Sequence, residues 1–301
     1  MRIHPQAVVS PNAVIGRDVH IGPFCVVEDD VVIGDGCILE PRVSIKNGVR
    51  LGENNHIYEG TVIGGLPQCV GMNDTCGRVV IGNGNIIREN VTIHRALKEE
   101  TNDGKANATE IGDNCMFMVN VHIAHDCRIG DNVIIANNTM LAGHVTVGRR
   151  AFISGAVGVH QFCHIGAFAM VGGQAHINKD VPPFMTVDGL SSLVVGLNNV
   201  GLRRAGFAPK DFRVLKDIYR ILYESKLAWK DIVEMIRNEY TSSLGQEMAT
   251  FLSMANRGII MSRMAPHRME APAETLTLKL HVVPEDEEDM ASPYQDKKNV
   301  G

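Results

Sequence analysis

Aromatic residues are scarce in this chain: they make up 5% of its 301 residues, with a single Trp, five Tyr and nine Phe. A core must therefore be assembled from aliphatic side chains, and a hydrophobic content of 45% supplies them. Positive charge is not in surplus either. The 29 Lys and Arg stand against 34 Asp and Glu, a formal charge of −5, which argues against nucleic acid as the main partner because phosphate neutralisation needs clustered cations. No C-x-x-C pair occurs among the seven cysteines (25, 37, 69, 76, 115, 127 and 163), so neither a disulfide framework nor a cysteine zinc site is indicated. The thiols are expected to be reduced and mostly buried. The opening Met-Arg-Ile-His-Pro-Gln has no apolar signal region, and no stretch reaches the roughly 18 uninterrupted apolar residues of a spanning helix. These absences lead to the expectation of a cytoplasmic protein without membrane insertion.

What the chain has instead is a repeat. Every sixth residue from Ile3 is Val9, Ile15, Ile21, Val27, Ile33, Leu39, Ile45, Leu51, Ile57 and Ile63; the phase resumes at Ile81, Ile87 and Ile93, and again from Ile111 through Ile177. Of the 30 positions in this register, 26 are aliphatic or Phe; the exceptions are Cys69, Thr75, Glu99 and Lys105. They fall in two polar stretches, 65–80 and 95–110, which read as loops pushed out of a continuous coil. A period of six fits neither a 3.6-residue helix nor a simple two-residue alternation. It fits a coil of three short strands, 18 residues per turn, with one aliphatic per strand pointing at the axis and a following Gly, as in Ile15-Gly16 or Ile129-Gly130, expected to ease the corner. The pattern resembles the hexapeptide-repeat family, which implies a mainly β fold, a left-handed parallel β-helix.

After Asp180-Val-Pro-Pro the hexads stop. Leu215, Ile218, Tyr219 and Leu222 share one helical face, as do Trp229, Ile232, Val233, Ile236 and Tyr240, and again Met248, Phe251, Leu252 and Ile259. About three helices are predicted between 208 and 260, capping the C-terminal end of the solenoid, whose last coil would otherwise expose its apolar interior. The expected domains are a β-helix over 1–190, a helical domain over 191–261, and a disordered tail over 262–301 that includes the acidic run Glu285–Asp289. The stretch 201–260 carries ten basic and seven acidic residues, a local +3 on an otherwise acidic chain. Such a surface would steer an acidic macromolecular partner.

With 18 residues per turn, residue i stacks on i+18. His125, Gly143 and Gln161 then form one column, Asp126, His144 and Phe162 the next, and His122 stands over Met140, Gly158 and His176. Histidines 125, 144 and 160 gather within about three coils. A carboxylate beside an imidazole orients the ring and raises its basicity, so His125 with Asp126 is the candidate general base. His4, His20, His56, His267 and His281 read as ordinary surface residues. Zinc held by three histidines, as in a carbonic-anhydrase branch of the hexapeptide family, is the chemical alternative. It is set aside because the segments that follow His122-x-x-His125 do not continue that pattern, and no metal or other cofactor is expected.

Those segments are specific. Thr92-Ile-His-Arg95, His122-Ile-Ala-His-Asp-Cys127, Leu141-Ala-Gly-His-Val145, Val159-His-Gln-Phe-Cys163, Met170-Val-Gly-Gly173 and Asp180-Val-Pro-Pro183 together resemble the UDP-N-acetylglucosamine O-acyltransferase family over about residues 1–260. The resemblance implies transfer of a 3-hydroxyacyl chain from an acyl carrier protein to the 3-hydroxyl of a UDP-sugar, at the start of lipid A synthesis, by a homotrimer with sites between subunits. It further implies His125 as base, Asp126 as its partner and Gly143 as backbone donor to the thioester oxygen. His122, His144, His160, Gln161, Asn198 and Arg204 would hold substrates, and Met170 and Gly173 would bound the acyl chain. Several positions depart from the family: an Asp and a Lys align with Cys69 and Gly71, a His with Ser191, a Glu with Val200, and an Arg with Ala205. The acceptor pocket is therefore expected to be remodelled, so that another nucleotide sugar, such as a 3-amino analogue, is the alternative acceptor. A catalytically silent trimeric scaffold is the alternative from outside enzymes.

Overall fold

The computed structural model describes residues 2–70, 76–100, 104, 106–255 and 257–263. The hexads wind a left-handed parallel β-helix of three sheets, with eleven, nine and eight strands among the described residues. Most strands are two residues long, as in Arg2–Ile3, Val8–Val9 and Val14–Ile15, which open the three sheets in turn. Partners are 18 residues apart, as in His20↔Ile38, except where a coil contains a long loop. There they stand 30 apart, as in His56↔Ile86 and Ile86↔Met116. Each insertion is therefore two whole hexads long, which is why the sixfold phase survives it.

The aliphatic register forms the core: from Ile21 to Ile177 its members on the coil are almost wholly buried. A second inward position, two residues earlier in each hexad, was not read from the sequence. It is filled by small or short side chains, among them Val19, Val31, Thr61, Val91, Val121, Thr139 and Val157. Cysteines 25, 37, 115, 127 and 163 all occupy it. Their thiols donate to a carbonyl of the next coil, as from Cys25 to Glu40 at 3.0 Å and from Cys127 to Ala142 at 3.3 Å. Burial pushes these thiols up, Cys127 to about 12, so they are structural and inert.

One expectation about the corners needs correction. The glycines that follow the aliphatics do not make the turn; the residue in the left-handed region is two positions further on, as in Asp18 after Gly16, Asn54 after Gly52 and Asn132 after Gly130. The glycines are required because adjacent coils nearly touch there. A Cβ on Gly148 would stand 2.4 Å from the Ala167 nitrogen, and one on Gly34 would stand 2.6 Å from the Gly52 carbonyl.

Past Ile177 the first sheet takes two more strands, Met185–Val187 and the antiparallel Val194–Leu197. Four helices follow: α1 (Asn199–Arg204), α2 (Pro209–Glu224), α3 (Trp229–Glu239) and α4 (Ser243–Met254). The last three are the helices predicted; α1 is additional. Pro209 opens α2, and the Asp211 carboxylate accepts from the Ala208 N–H at 2.8 Å. Leu215, Ile218, Leu222, Ile232, Ile236, Met248 and Leu252 are buried in a core continuous with that of the coil. Phe168, Phe184 and Phe207 pack as an aromatic cluster where the coil ends. Arg149 on the coil pairs with Glu247 on α4, and the Asp180 backbone carbonyl accepts the Ile260 N–H at 2.8 Å. Ser262 bonds Tyr219 at 2.7 Å; the expected tail from 264 onward lies outside the described residues. No helix among the described residues is long and apolar enough to cross a membrane.

Candidate active site

The corner between the second and third sheets carries the histidine cluster. In each coil the strand ends on its inward aliphatic, Ile123 or Leu141; one outward residue follows, and the chain then turns through two more. The second of these takes a left-handed conformation: φ is 58° at Asp126, 60° at His144 and 63° at Phe162. Only short polar residues and Gly adopt that region readily, so the fold asks a conformational price of about 1–2 kcal/mol at His144 and Phe162. Turning the backbone this way throws these side chains out of the core and stacks them. The His144 and Phe162 rings lie parallel with centroids 4.5 Å apart, and His144 meets His125 edge-on at 5.1 Å.

His125 is held from one side. Its Nδ1 lies 2.9 Å from Oδ2 of Asp126, leaving Nε2 turned away from the carboxylate. Asp126 is itself fixed by the 95–107 loop: Oδ2 accepts the Leu97 N–H at 3.0 Å and Oδ1 accepts Asn107 Nδ2 at 2.8 Å, while its own N–H donates to Thr109 Oγ1 at 2.8 Å. Burial pushes the Asp126 carboxyl up, but the hydrogen bonds from His125, Leu97 and Asn107 outweigh it and hold the group below the usual carboxylate range. An ionised Asp126 accepts from Nδ1 and so favours the Nδ1–H tautomer of His125, with the lone pair on Nε2. Burial and the nearby His125 push His144 down against the pull of Asp126, so that ring is neutral near pH 7.

His125, Asp126 and His144 each present one donor atom within 4.8 Å of the others, the spacing of a metal site. Two of those donors, however, share a proton at 2.9 Å, and Asp126 Oδ2 has a further N–H on it. His125 Nδ1 and Asp126 Oδ2 are therefore engaged with each other and with the loop.

The remaining sequence-predicted residues divide by position. Gly143 lies directly against the His125 ring, and among the described residues nothing accepts its N–H. His122 is half-buried on the adjoining strand, bonded to Thr92 Oγ1 at 2.8 Å and 5.1 Å from the His94 ring; burial and that neighbour push it down. His160 and Gln161 occupy the same corner one coil beyond Gly143, with His160 Nδ1 on the Gln161 carbonyl at 3.1 Å. Gly173 sits on a different corner, between the first and second sheets, and Met170 on the first sheet. Asn198 and Arg204 line a separate cavity of about 650 Å³ with Met170, Phe168, Val200 and Ala205. There the Asn198 side chain already caps α1 through Gly201 and donates to the Phe168 carbonyl at 2.8 Å. Ser191 is tied to Asp188 at 2.8 Å, and Arg263 reaches both residues.

Sequence reasoning missed the groups that hold Asp126. Asn107 and Thr109 flank Ala108, which the 18-residue register of the third sheet sets against Asp126, and across the inserted loop a count of 30 places Ala96, next to Leu97, against it as well. Cys69, which the sequence marks as a departure from the family, has its half-buried Sγ 3.5 Å from His125 Nε2, a contact the sequence did not indicate.

Two family models match the chain: the second domain of UDP-N-acetylglucosamine O-acyltransferase over residues 180–260, and the bacterial transferase hexapeptide over 30–65 and 108–143. A curated relative from Halorhodospira halophila, named acyl-[acyl-carrier-protein]–UDP-N-acetylglucosamine O-acyltransferase, is 45% identical over 260 residues, 86% of this chain and 99% of its own. The crystal structure of the UDP-N-acetylglucosamine acyltransferase of Francisella novicida superposes with a TM-score of 0.82 at 35% identity, covering 89% of this chain and all of that one. The corresponding enzyme of Bacteroides fragilis gives 0.80 at 36% identity, covering 86% and 99%.

Proposed function

This chain belongs to the UDP-N-acetylglucosamine O-acyltransferase family, and from that premise we propose how its site performs the reaction. The enzyme is an acyltransferase that moves an acyl chain from acyl carrier protein to UDP-N-acetylglucosamine, the step that begins lipid A synthesis. A sugar hydroxyl is a poor nucleophile near pH 7. His125 Nε2 takes its proton as the oxygen attacks the thioester carbonyl, and a positioned base of this kind contributes roughly 10²–10⁴ in rate. Asp126 keeps the ring in the required tautomer and stabilises the imidazolium that forms. The Gly143 N–H, unclaimed by the fold, stabilises the oxygen on which negative charge collects. His122, His144, His160 and Gln161 on the same wall position the sugar and the pantetheine arm.

The observation that carries this reading is the polarity of the His125 ring: Nδ1 fixed on an ionised carboxylate, Nε2 turned away from it. Gly173, Met170, Asn198 and Arg204 do not share that corner within one chain, so they bound the acyl chain and nucleotide only when a neighbouring subunit of a homotrimer brings them to it. The test is a 3-hydroxyacyl carrier protein supplied with a panel of UDP-sugars and read by product mass. His125→Ala is expected to abolish acylated sugar without loss of the folded oligomer. Mixing inactive His125→Ala subunits with subunits blocked at Gly173 by a bulky residue should restore part of the activity. Failure of that mixture to recover would place the whole site within one chain.

A further inference from the structure

Asp126 stands between two imidazoles. Its Oδ2 lies 2.9 Å from Nδ1 of His125 and 3.9 Å from Nε2 of His144, so a small turn of the carboxylate would exchange one ring for the other. Its backbone does not make that choice, because the left-handed conformation at 126 is the one this corner also gives to His144 and Phe162. The choice is made from outside the corner. Asn107 Nδ2 donates at 2.8 Å to Oδ1, the oxygen His125 does not use and one with no other donor among the described residues. A carboxylate only accepts, so it is the NH₂ end of the amide that faces it. The amide itself is held from both sides of its residue: the Asn107 N–H donates to the Glu99 carbonyl at 2.8 Å across the inserted loop, and its carbonyl accepts the Arg78 N–H at 2.9 Å. The Leu97 N–H, from the other limb of the loop, reaches Oδ2 at 3.0 Å.

Resting on the acyl-transfer reading of this site, we propose that Asn107 is a positioning residue for the reaction: its amide fixes the Asp126 carboxylate on His125 and away from His144. Asn107 acts through Asp126 and not on the reacting atoms. When the hydroxyl proton moves to Nε2 the His125 ring becomes cationic, and the carboxylate has to be aimed at Nδ1 at that moment. The Asp126 side chain is only 9% exposed, so water replaces a lost donor poorly. Without the amide, Oδ1 is left unpaired and the carboxylate turns toward the second ring. His125 Nδ1 then loses its acceptor for part of the time, and the ring proton redistributes to Nε2, where it blocks uptake of the proton from the sugar. Two imidazoles around one carboxylate thus require a third group to say which is the base. The inserted loop supplies it.

The experiment is a double-mutant cycle on the full-length enzyme, with 3-hydroxyacyl carrier protein and UDP-N-acetylglucosamine as substrates. In the wild-type background Asn107→Ala is expected to lower kcat about tenfold and to leave both KM values within about twofold. In an Asp126→Ala background, where no carboxylate is left to aim, the same substitution is expected to cost nothing further. Asn107→Ala that keeps full kcat overturns the proposal. So does an equal loss in both backgrounds, which would make Asn107 a support of the loop alone. If the wild-type enzyme acylates no UDP-sugar, the acyl-transfer reading fails separately and the positioning is decided on histidine-labelled protein. Long-range proton–nitrogen spectra, with the His125 signals identified by their loss in His125→Ala, report which ring nitrogen carries the proton. The Nδ1–H form is expected in wild type and a mixture containing Nε2–H in Asn107→Ala; an unchanged Nδ1–H ring in the variant rejects the role.

Discussion

The His125 imidazole fills the space in front of Gly143: a Cβ placed on that glycine would stand 2.4 Å from Cε1 and 2.5 Å from Nε2 of the ring. The base and the proposed oxyanion donor are therefore in contact, and the absence of a side chain at 143 is a condition for both. The ring cannot simply withdraw, because Nδ1 is anchored on Asp126 and Asp126 on the 95–107 loop.

Gly143→Ala must then move the imidazole by about an ångström to reach an ordinary contact distance. A displacement of that size at a reacting group costs about 10² in rate. The expected outcome is a kcat lowered about 100-fold with little change in melting temperature, since position 143 has an ordinary backbone conformation. Steady-state kinetics beside a thermal melt separate the two quantities.

Asp126→Asn tests the tautomer. The amide preserves volume and still accepts from one N–H, but it no longer holds a proton-donating Nδ1, so Nε2 becomes the protonated nitrogen in part of the population. A loss of about 10²–10⁴ in kcat with a smaller change in KM is expected, together with faster proteolysis within 95–107 because Leu97 or Asn107 loses its acceptor. Unchanged kcat would remove Asp126 from the mechanism.

The coil was legible in the sequence because its hydrophobic period is strict and belongs to no other fold. Even the insertions kept the phase, each being two hexads long. The second inward position was harder to see. It tolerates Val, Cys, Thr, Ala and Asn alike, so hydrophobicity does not mark it; polar members such as Cys25, Asn55 and Thr61 are admitted because each donates to a carbonyl of the next coil. His125, Asp126 and His144 were found together because they lie within uninterrupted coils. Asn107 and Thr109, although they flank the position 18 before Asp126, were not sought there, and the contact of Cys69 with the ring is made by a loop residue on a path that repeat arithmetic does not follow. Asn198 shows the opposite limit: its match to a family motif says nothing of the helix cap and carbonyl that occupy its amide.

Cys127 tests that second position. Val121 and Val133 fill the equivalent place on adjoining strands of the same coils, so Cys127→Val should cost less than about 1.5 kcal/mol in chemical denaturation. Cys127→Leu adds volume where the next coil's Ala142 carbonyl is already within 3.3 Å of Sγ, and overpacking of this kind costs about 1–3 kcal/mol. Equal stabilities for the two variants would show that the position is not size-limited.

Asp180 gives a pH dependence of unusual sign. Its carboxyl is almost wholly buried where the coil meets the chain after α4, and burial raises it from 3.8 to about 6 against the opposing pull of the His164 N–H, His164 and Arg257. Those are the groups that face it: His164 from the third sheet, whose N–H it accepts at 2.7 Å, and Arg257 from the segment following α4. A carboxyl whose folded value lies above its unfolded one binds more protons in the folded state. Between about pH 4 and pH 6 stability must then fall as pH rises, the reverse of the usual acidic limb. Asp126, held below its ordinary value, acts in the opposite direction: its contribution is present at neutral pH and disappears as pH drops through its lowered folded value. Asp180→Asn removes the first effect and keeps the hydrogen-bond acceptor. Melting temperatures of the two proteins should converge near pH 4 and separate by pH 7, with the Asn variant the more stable. A wild-type protein that gains stability relative to Asp180→Asn as pH rises from 4 to 6 would mean that the ionised carboxylate is the form the folded state prefers, and that His164 and Arg257 outweigh its burial.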